Sequence, residues 1–256
     1  FFALLQPYCL WKIFLNMTNS VGPQVSLCEG LVRQDLLLLR YLLGLRVSQP
    51  LPTATTCREL PSALAKDVVF LALDTENIRK GQTPLVKQFQ VGISILDTRA
   101  LQDLLSSPSS ATMQKEDLLQ TRNFCIGPLR YCSKATRRFL FGQSEAVDPD
   151  QIKGKIESLV FDRDVVLVVH DRQFNFWLLK ELNINLQPVA ILDTQKIAYE
   201  IPQLHYQYGL KKLLIALDCP LNFLHIAGNN ANFTLRVLLM IALRDSDGTN
   251  TDKSHQ

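Results

Sequence analysis

The chain has 256 residues, of which 47% are hydrophobic and 20% are charged, and its formal net charge is +3. This length allows one large domain or two small ones with a substantial core, and the composition is that of a globular protein. The charge permits a nucleic-acid partner, but no basic run is dense enough to form a nucleic-acid-binding arm. The six cysteines show neither a CxxC pair nor zinc-ligand spacing, so we expect reduced structural thiols in an intracellular protein.

The first 66 residues are predicted to form an N-terminal extension. Residues 1–16 are apolar, but they lack the basic start and small-residue exit of a signal peptide and are too short to span a bilayer. Because Met17 follows them, we interpret them as part of a fragment or as translated sequence upstream of a true start. A helix is expected at about 31–45, followed by a Pro/Ser/Thr-rich linker. We predict a soluble protein, nuclear or cytoplasmic, with no membrane partner.

Five strands are predicted within one domain that covers residues 67–244. Each is a short apolar or β-branched run bounded by polar or turn-forming residues. The strands span residues 67–74, 88–97, 123–127, 164–170 and 189–194. Between the second and third strands, the Ser-rich stretch 102–121 is predicted to be an exposed excursion.

Helices are predicted between and after the later strands. Asp148 and Pro149 form a strong helix start, an N-cap followed by proline at the first helical position. The predicted helices span 148–161, 172–182, 194–200, 209–217 and 229–244, and residues 245–256 are expected to be a disordered tail. This order predicts an α/β fold with a mixed five-stranded sheet flanked by helices. Its first three strands should be antiparallel and the later ones should form parallel βα units.

The sharpest chemical signal is LALDTEN, residues 71–77. Asp74 and Glu76 lie two positions apart at the end of a predicted strand, so both side chains project from one face. Two carboxylates so placed repel each other unless a proton or a cation lies between them, and Mg²⁺ takes oxygen ligands of this kind. The alternative is an ordinary strand-end turn with solvated acids.

A second group of polar residues lies in LVVHDRQFNFWLLKEL, residues 167–182. A predicted strand ends at His170, and Asn175 lies one turn into the helix that follows. Asp171 stands at the entrance of this helix, where an N-cap is a better explanation than a metal ligand.

Two further polar positions follow later elements. Asp193, in ILDTQKIA, ends the last predicted strand, and we interpret it first as a helix cap and second as a functional residue. In HIAGNNANFTL, residues 225–235, His225 precedes a helix that begins near Asn230. A histidine there could act as a general base, because its unperturbed pKa lies near neutral pH. A lone histidine is more often structural or merely exposed.

The order of these motifs resembles the DEDDh branch of the ribonuclease H-like 3′–5′ exonucleases. Within that branch the chain is most similar to the fungal Gfd-type C-terminal domain family. The resemblance covers about residues 67 to 244. The supporting stretches are LALDTEN, QFQVGISILDT, FLFGQSE, LVVHDRQFNFWLLKEL, ILDTQKIA and HIAGNNANFTL.

The resemblance implies a two-metal site in which four carboxylates hold two divalent ions, Mg²⁺ or Mn²⁺, and a histidine activates the attacking water. Asp74 and Glu76 match the first motif and are the metal ligands that remain. His225 matches the histidine. Asn175 and Asn230 stand where the family pattern has aspartates.

Replacing two carboxylates with amides should weaken the binding of at least one ion, because Mg²⁺ is held largely by carboxylates and substrate phosphates. We therefore expect a catalytically impaired domain, a pseudoenzyme that binds single-stranded RNA or DNA. Two alternatives stay open. One is an active metal-dependent 3′–5′ exonuclease, for which Asp171 could replace Asn175 only after a backbone shift. The other is a protein-interaction scaffold without nucleic-acid contact.

Overall fold

The computed structural model describes residues 34–45, 67–78, 88–106, 118–199, 201, 204 and 208–247. The interpretation of residues 1–16, the linker before residue 67, and the predicted tail from residue 248 onward lie outside these ranges.

Among the described residues, six strands form one mixed sheet. The strands are β1 (Val68–Glu76), β2 (Phe89–Asp97), β3 (Leu119–Ile126), β4 (Glu145–Ala146), β5 (Asp164–Val169) and β6 (Ala190–Asp193). Their order is β4-β3-β2-β1-β5-β6. The strands β1, β2 and β3 pair antiparallel with one another, whereas β4 runs parallel to β3, β5 runs parallel to β1 and β6 runs parallel to β5. The predicted fold class and strand directions are confirmed.

The predicted count of five strands is wrong. The additional strand, β4, has two residues and pairs with Phe124 and Cys125 of β3. A two-residue strand is too short to show an alternating pattern, so the sequence gives no signal for it. The third strand is also longer than predicted. Its first half contains polar, partly exposed residues, so only the buried second half shows the apolar pattern of a strand.

The described residues form eight helices around this sheet. They are α1 (Gln34–Leu42), α2 (Thr98–Ser106), α3 (Leu129–Thr136), α4 (Pro149–Ser158), α5 (Arg172–Glu181), α6 (Thr194–Tyr199), α7 (Leu210–Ala216) and α8 (Ala227–Asp247). Helix α3 is not among the predicted elements, and α2 occupies the start of the stretch predicted as an exposed excursion. In this part of the chain no helix is long and apolar enough to cross a membrane.

The sheet is covered by helices on both faces. Phe70 and Ala72 of β1 belong to one core cluster, with residues of α1, α7 and α8, whereas Leu71 and Leu73 belong to the other, with residues of α4 and α5. Because successive strand residues point to opposite faces, a central strand covered on both sides needs the continuous apolar run that β1 shows.

Helix α1 belongs to the first of these core clusters, although it precedes the predicted domain boundary. Leu36, Leu39 and Leu42 are almost completely buried in the cluster that contains the inner face of α8. The boundary at residue 67 stays a prediction. The contacts show that the helix before it packs into the same core as the sheet.

The described cysteines are Cys125, Cys132 and Cys219, and all three are buried. Burial raises the pKa of the Cys125 thiol, and the neighbouring Cys132 raises it further. The Cys125 thiol therefore stays protonated, which makes it a poor nucleophile and metal ligand.

Candidate functional site

The two carboxylates of the first motif lie at the end of β1. Asp74 and Glu76 continue the alternation of Phe70 and Ala72, so they point to the sheet face that α8 covers. Burial, and secondly the charge of Glu76, raises the pKa of Asp74 to about 8. Burial also raises the pKa of Glu76, against the lowering effects of His225 and Asn230. Two partly buried acids therefore face each other in an environment that disfavours their charged forms.

The amide of Asn230 lies between these carboxylates. Its Nδ2 donates one hydrogen bond to Asp74 Oδ2 at 3.2 Å and another to Glu76 Oε1 at 2.9 Å. Its Oδ1 is buried without a hydrogen-bond partner. The amide thus uses both N–H groups to join the two acids and leaves its own acceptor unmatched, which is costly in a buried position.

Two glycines allow α8 to approach the sheet closely enough for this contact. Gly92 of β2 is paired with Asp74 across the antiparallel ladder. A Cβ atom on Gly92 would lie 2.0 Å from the carbonyl of Ala227, and one on Gly228 would lie 2.6 Å from the ring of Phe139. No side chain fits at either point, so the first turn of the helix rests directly against the sheet.

Asn229 fastens the same end of α8 to two loops. Its Oδ1 accepts the backbone N–H of Leu140 at 2.9 Å, and its Nδ2 donates to the carbonyl oxygens of Arg138 and Phe223, each at 2.9 Å. Asn229 is fully buried, and these three contacts use the acceptor and both donors of its amide. The FLFGQSE segment and the loop that carries His225 are therefore held to the helix.

His225 lies at the mouth of the site. Its imidazole is 87% exposed, and Nδ1 is 3.5 Å from Glu76 Oε1. Its φ of +70° places the backbone in the left-handed region, which is uncommon for a residue other than glycine. The structure thus brings His225, Asp74, Glu76 and Asn230 together at one end of β1.

Asn175 approaches from the other face of the sheet. Its Oδ1 accepts the hydroxyl of Thr75 at 3.3 Å, and its side chain is buried. Because Thr75 lies between Asp74 and Glu76 in the strand, it points away from them and toward α5. Asn175 therefore adjoins the carboxylate pair through Thr75, on the opposite side of β1 from Asn230.

The two supporting candidates occupy different positions. Asp193 is buried at the end of β6, and its carboxylate accepts the N–H of Gln195 at 3.0 Å, so it caps α6. Asp171 is exposed, and its φ of +66° differs from the extended backbone usual for an N-cap. Asp171 therefore lies on the surface, whereas Asn175, four residues later, lies in the interior. The carboxylate of Asp171 does not stand in the place of the Asn175 side chain.

The donor set does not fit a centre for two divalent ions. Within the described residues, no group of three or more His, Cys, Asp and Glu side chains could hold a metal ion. Asp74 and Glu76 supply two carboxylates, and the amide between them presents N–H groups, which are hydrogen-bond donors and not ligands. Rotating the amide would turn an oxygen toward the acids, but that oxygen brings no negative charge.

A hydrogen-bonded group of residues at the rim of the site was not predicted from the sequence. Tyr131, on the unpredicted helix α3, accepts hydrogen bonds at its hydroxyl from Asn77 at 2.9 Å and from Gln90 at 3.3 Å. Burial raises the pKa of Tyr131, and the charge of nearby Glu76 adds to this. Residues 129–138 show helical spacing of basic side chains, the one signal that could have indicated this element.

The sheet order and the acidic strand end define an α/β domain of the ribonuclease H-like exonuclease class. A family model described as DNA polymerase III subunit epsilon-like, C-terminal domain, of the DEDDh type, matches residues 69–241. This is more than half of the chain, and the chain belongs to that family. No curated protein matches the sequence.

Proposed function

We propose that this chain is a nucleic-acid-binding domain of the DEDDh exonuclease type whose catalytic function is impaired. The observation that carries the proposal is the contact of Asn230 with both carboxylates. At this position an amide donates one hydrogen bond to each acid, whereas an aspartate would add a third negative charge and require a cation.

The electrostatics support the same conclusion. Asn175 and Asn230 stand where the family pattern has aspartates, so the set of four formal negative charges falls to two. Mg²⁺ and Mn²⁺ bind such a site weakly, because hard divalent cations depend on anionic oxygen ligands.

The ligand part of the proposal rests on the family. We expect a domain of the DNA polymerase III epsilon-like family to bind single-stranded RNA or DNA. A nuclear or cytoplasmic location belongs to the same proposal and is the expectation drawn from the sequence. Within the superfamily we place the chain with the fungal Gfd-type C-terminal domains, on the strength of the motif order from LALDTEN to HIAGNNANFTL.

The testing experiment compares the wild type with the double reversion Asn175→Asp/Asn230→Asp. Each protein is incubated with Mn²⁺ or Mg²⁺ and a 5′-labelled single strand of RNA or DNA that has a free 3′ end. We expect no shortening by the wild type and metal-dependent shortening by the reverted protein. The rate should rise by several orders of magnitude, since each ~1.4 kcal/mol of barrier is tenfold in rate. Asp74→Ala in the reverted background should abolish the gain.

A matched control adds the same two charges elsewhere. Asn183 and Asn185 are exposed residues in the loop after α5, and Asn183→Asp/Asn185→Asp should leave the strand intact. Shortening by the wild type that Asp74→Ala removes would show an active exonuclease and overturn the proposal. Failure of the wild type to retain the strand at low salt would favour the interaction scaffold instead.

A further inference from the structure

Helix α3 and the turn that follows it present a row of basic side chains to the outside. Arg130, Lys134, Arg137 and Arg138 recur at helical spacing, and all four are exposed. We call these four residues the α3 basic face. Among the described residues, none of the ion pairs involves any of them. Their positive charges are therefore directed to solvent without compensation.

The stretch of sequence that contains this face has no acidic residue. Residues 118–144 include five arginines and lysines and no aspartate or glutamate. The face therefore lies within a locally positive segment of a protein whose overall charge is only +3. A concentrated positive field of this kind attracts polyanions.

The α3 basic face borders the carboxylate site. Tyr131, which follows Arg130, accepts a hydrogen bond at its hydroxyl from Asn77 at 2.9 Å. Asn77 is next to Glu76 in the chain. The helix that carries the basic side chains is thus joined, through one tyrosine, to the end of the strand that carries the acids.

The backbone of an exposed aromatic residue, Phe223, lies beside the backbone at the other end of the basic face. The carbonyl oxygens of Arg138 and Phe223 both accept a hydrogen bond from Asn229 Nδ2, each at 2.9 Å. Because they share this donor atom, the two oxygens lie close to each other. Phe223 is 41% exposed and has a φ of +46°. It stands two residues before His225. The backbone that carries the ring therefore leads from the basic face to the mouth of the site.

We infer that a single-stranded nucleic acid binds along this surface, with its phosphates on the α3 basic face and a base stacked on Phe223. Such proteins combine a positive track for the backbone with aromatic rings on which bases stack, and this combination separates a nucleic-acid strand from an acidic peptide. The strand end then lies near His225 and Glu76. The inference rests on the proposed nucleic-acid binding and assigns it to particular residues.

The first test measures the salt dependence of binding. The dissociation constant of a labelled 20-nucleotide oligo(dT) or oligo(U) is determined by fluorescence anisotropy at several salt concentrations. The variant Arg130→Ala/Lys134→Ala/Arg137→Ala should bind more weakly. The slope of log Kd against log salt should fall by about 2, since each lost phosphate contact with a single strand removes about 0.7. The control Lys196→Ala/Lys211→Ala/Lys212→Ala removes three exposed charges from α6 and α7 and should keep the slope of the wild type.

The second test concerns stacking. Phe223→Ala should weaken binding between about 5-fold and about 150-fold, the equivalent of ~1–3 kcal/mol per stacked base, without changing the salt slope. Phe223→Trp should retain binding. Thermal unfolding of each variant shows whether it is folded, and the tryptophan variant tests the ring even if the alanine variant does not fold.

The outcomes separate this inference from the proposed function. If the wild type binds the strand and the α3 variant loses no more affinity than its control, the surface is wrongly assigned while nucleic-acid binding stands. If the wild type does not bind at low salt, both fail. Equal affinity for a poly-glutamate peptide, insensitive to Phe223→Ala, would show a general anion surface and overturn the assignment to a nucleic-acid strand.

Discussion

Asn229 and Asn230 are adjacent at the start of α8, yet the two regions that they join differ in how well their polar groups are matched. Around Asn229, one amide makes three hydrogen bonds of 2.9 Å and leaves no donor or acceptor unused. Around Asn230, a buried oxygen has no partner, and two acids have raised pKa values. The first region is a scaffold that holds the start of α8 in place, and all the hydrogen-bonding groups of its amide have partners. The second region is a site in which the charges of the two acids are poorly compensated.

This difference places the impairment that we propose in the charge of the candidate ligands and not in the framework that presents them. The close approach of Gly92 to Ala227 still brings residue 230 to the acids of β1. A chain whose site had collapsed as a whole would show the scaffold disturbed as well. The reversion of Asn175 and Asn230 is therefore a reasonable experiment, because each aspartate would enter a position that the fold already provides.

The largest expected effect comes from breaking the scaffold at Gly92. Gly92→Ala places a methyl group 2.0 Å from backbone atoms of Ala227, which cannot move without displacing α8. We expect a loss of about 3 kcal/mol or more in the free energy of unfolding, or failure to fold. Urea unfolding measures the change.

A second glycine provides the control for that substitution. Gly154 lies on the exposed side of α4, and a methyl group added there would meet no atom within 4 Å. Gly154→Ala should therefore stabilise the protein by about 1 kcal/mol, through helix propensity alone. Wild-type stability in Gly92→Ala would contradict the close approach of α8 to the sheet.

Removing the amide of Asn229 should have the next largest effect. Asn229→Ala leaves the N–H of Leu140 and the carbonyls of Arg138 and Phe223 without their partner, so we expect the free energy of unfolding to fall by about 2–4 kcal/mol. Asn185→Ala, at an exposed position, should change it by less than about 0.5 kcal/mol. If the two substitutions changed the free energy of unfolding equally, the hydrogen bonds of Asn229 would not stabilise the protein as we expect.

The contribution of the site to the free energy of unfolding should depend on pH. The pKa of Asp74 is about 8 in the folded protein and about 4 in the unfolded chain, so the folded state binds the extra proton between these values. The free energy of unfolding should then fall as pH rises from about 4 to 8, by up to about 1.4 kcal/mol per pH unit. Asp74→Asn removes this contribution.

The comparison is made by urea unfolding at pH 5, 7 and 8.5. The stability of Asp74→Asn relative to wild type should increase with pH and level off above about pH 8. Asp162→Asn, at an exposed carboxyl, controls for the loss of one charge. A difference between Asp74→Asn and wild type that is constant across this range would show that Asp74 is ionised in the folded protein.

The smallest effect distinguishes a cap from a functional acid at Asp193. Asp193→Ala removes the acceptor for the N–H of Gln195 and should lower the free energy of unfolding by about 1 kcal/mol. Asp193→Asn keeps an acceptor and should retain most of the stability. If neither variant changed strand binding or the activity of the Asn175→Asp/Asn230→Asp protein, Asp193 would be a structural cap alone.

Much of the fold could be predicted from the sequence, because β1 and β5 are buried on both faces and need long apolar runs. The pairing of Asp74 with Glu76 follows from the two-residue period of a strand. Helix α3 has no comparable signal, since only Cys132 and Ala135 of its residues are buried. Short elements with few buried residues leave little trace in hydrophobic periodicity.

The site could be predicted only in part, for reasons of distance along the chain. Asn229 contacts backbone groups 89 and 91 positions away, and nothing in the local sequence distinguishes it from Asn230. The separation of Asn175 from Asn230 by the sheet depends on which face each helix covers. That choice is made by the packing of the whole domain.

The most direct test of the central claim is calorimetric titration with Mn²⁺, in the wild type and in Asn175→Asp/Asn230→Asp, under identical conditions. The reverted protein restores two carboxylates on opposite sides of β1 and should bind two ions. The wild type should bind at most one ion, weakly, because the amide of Asn230 occupies the space between its two acids. Tight binding of two Mn²⁺ ions by the wild type would contradict the claim that the two asparagines impair this site.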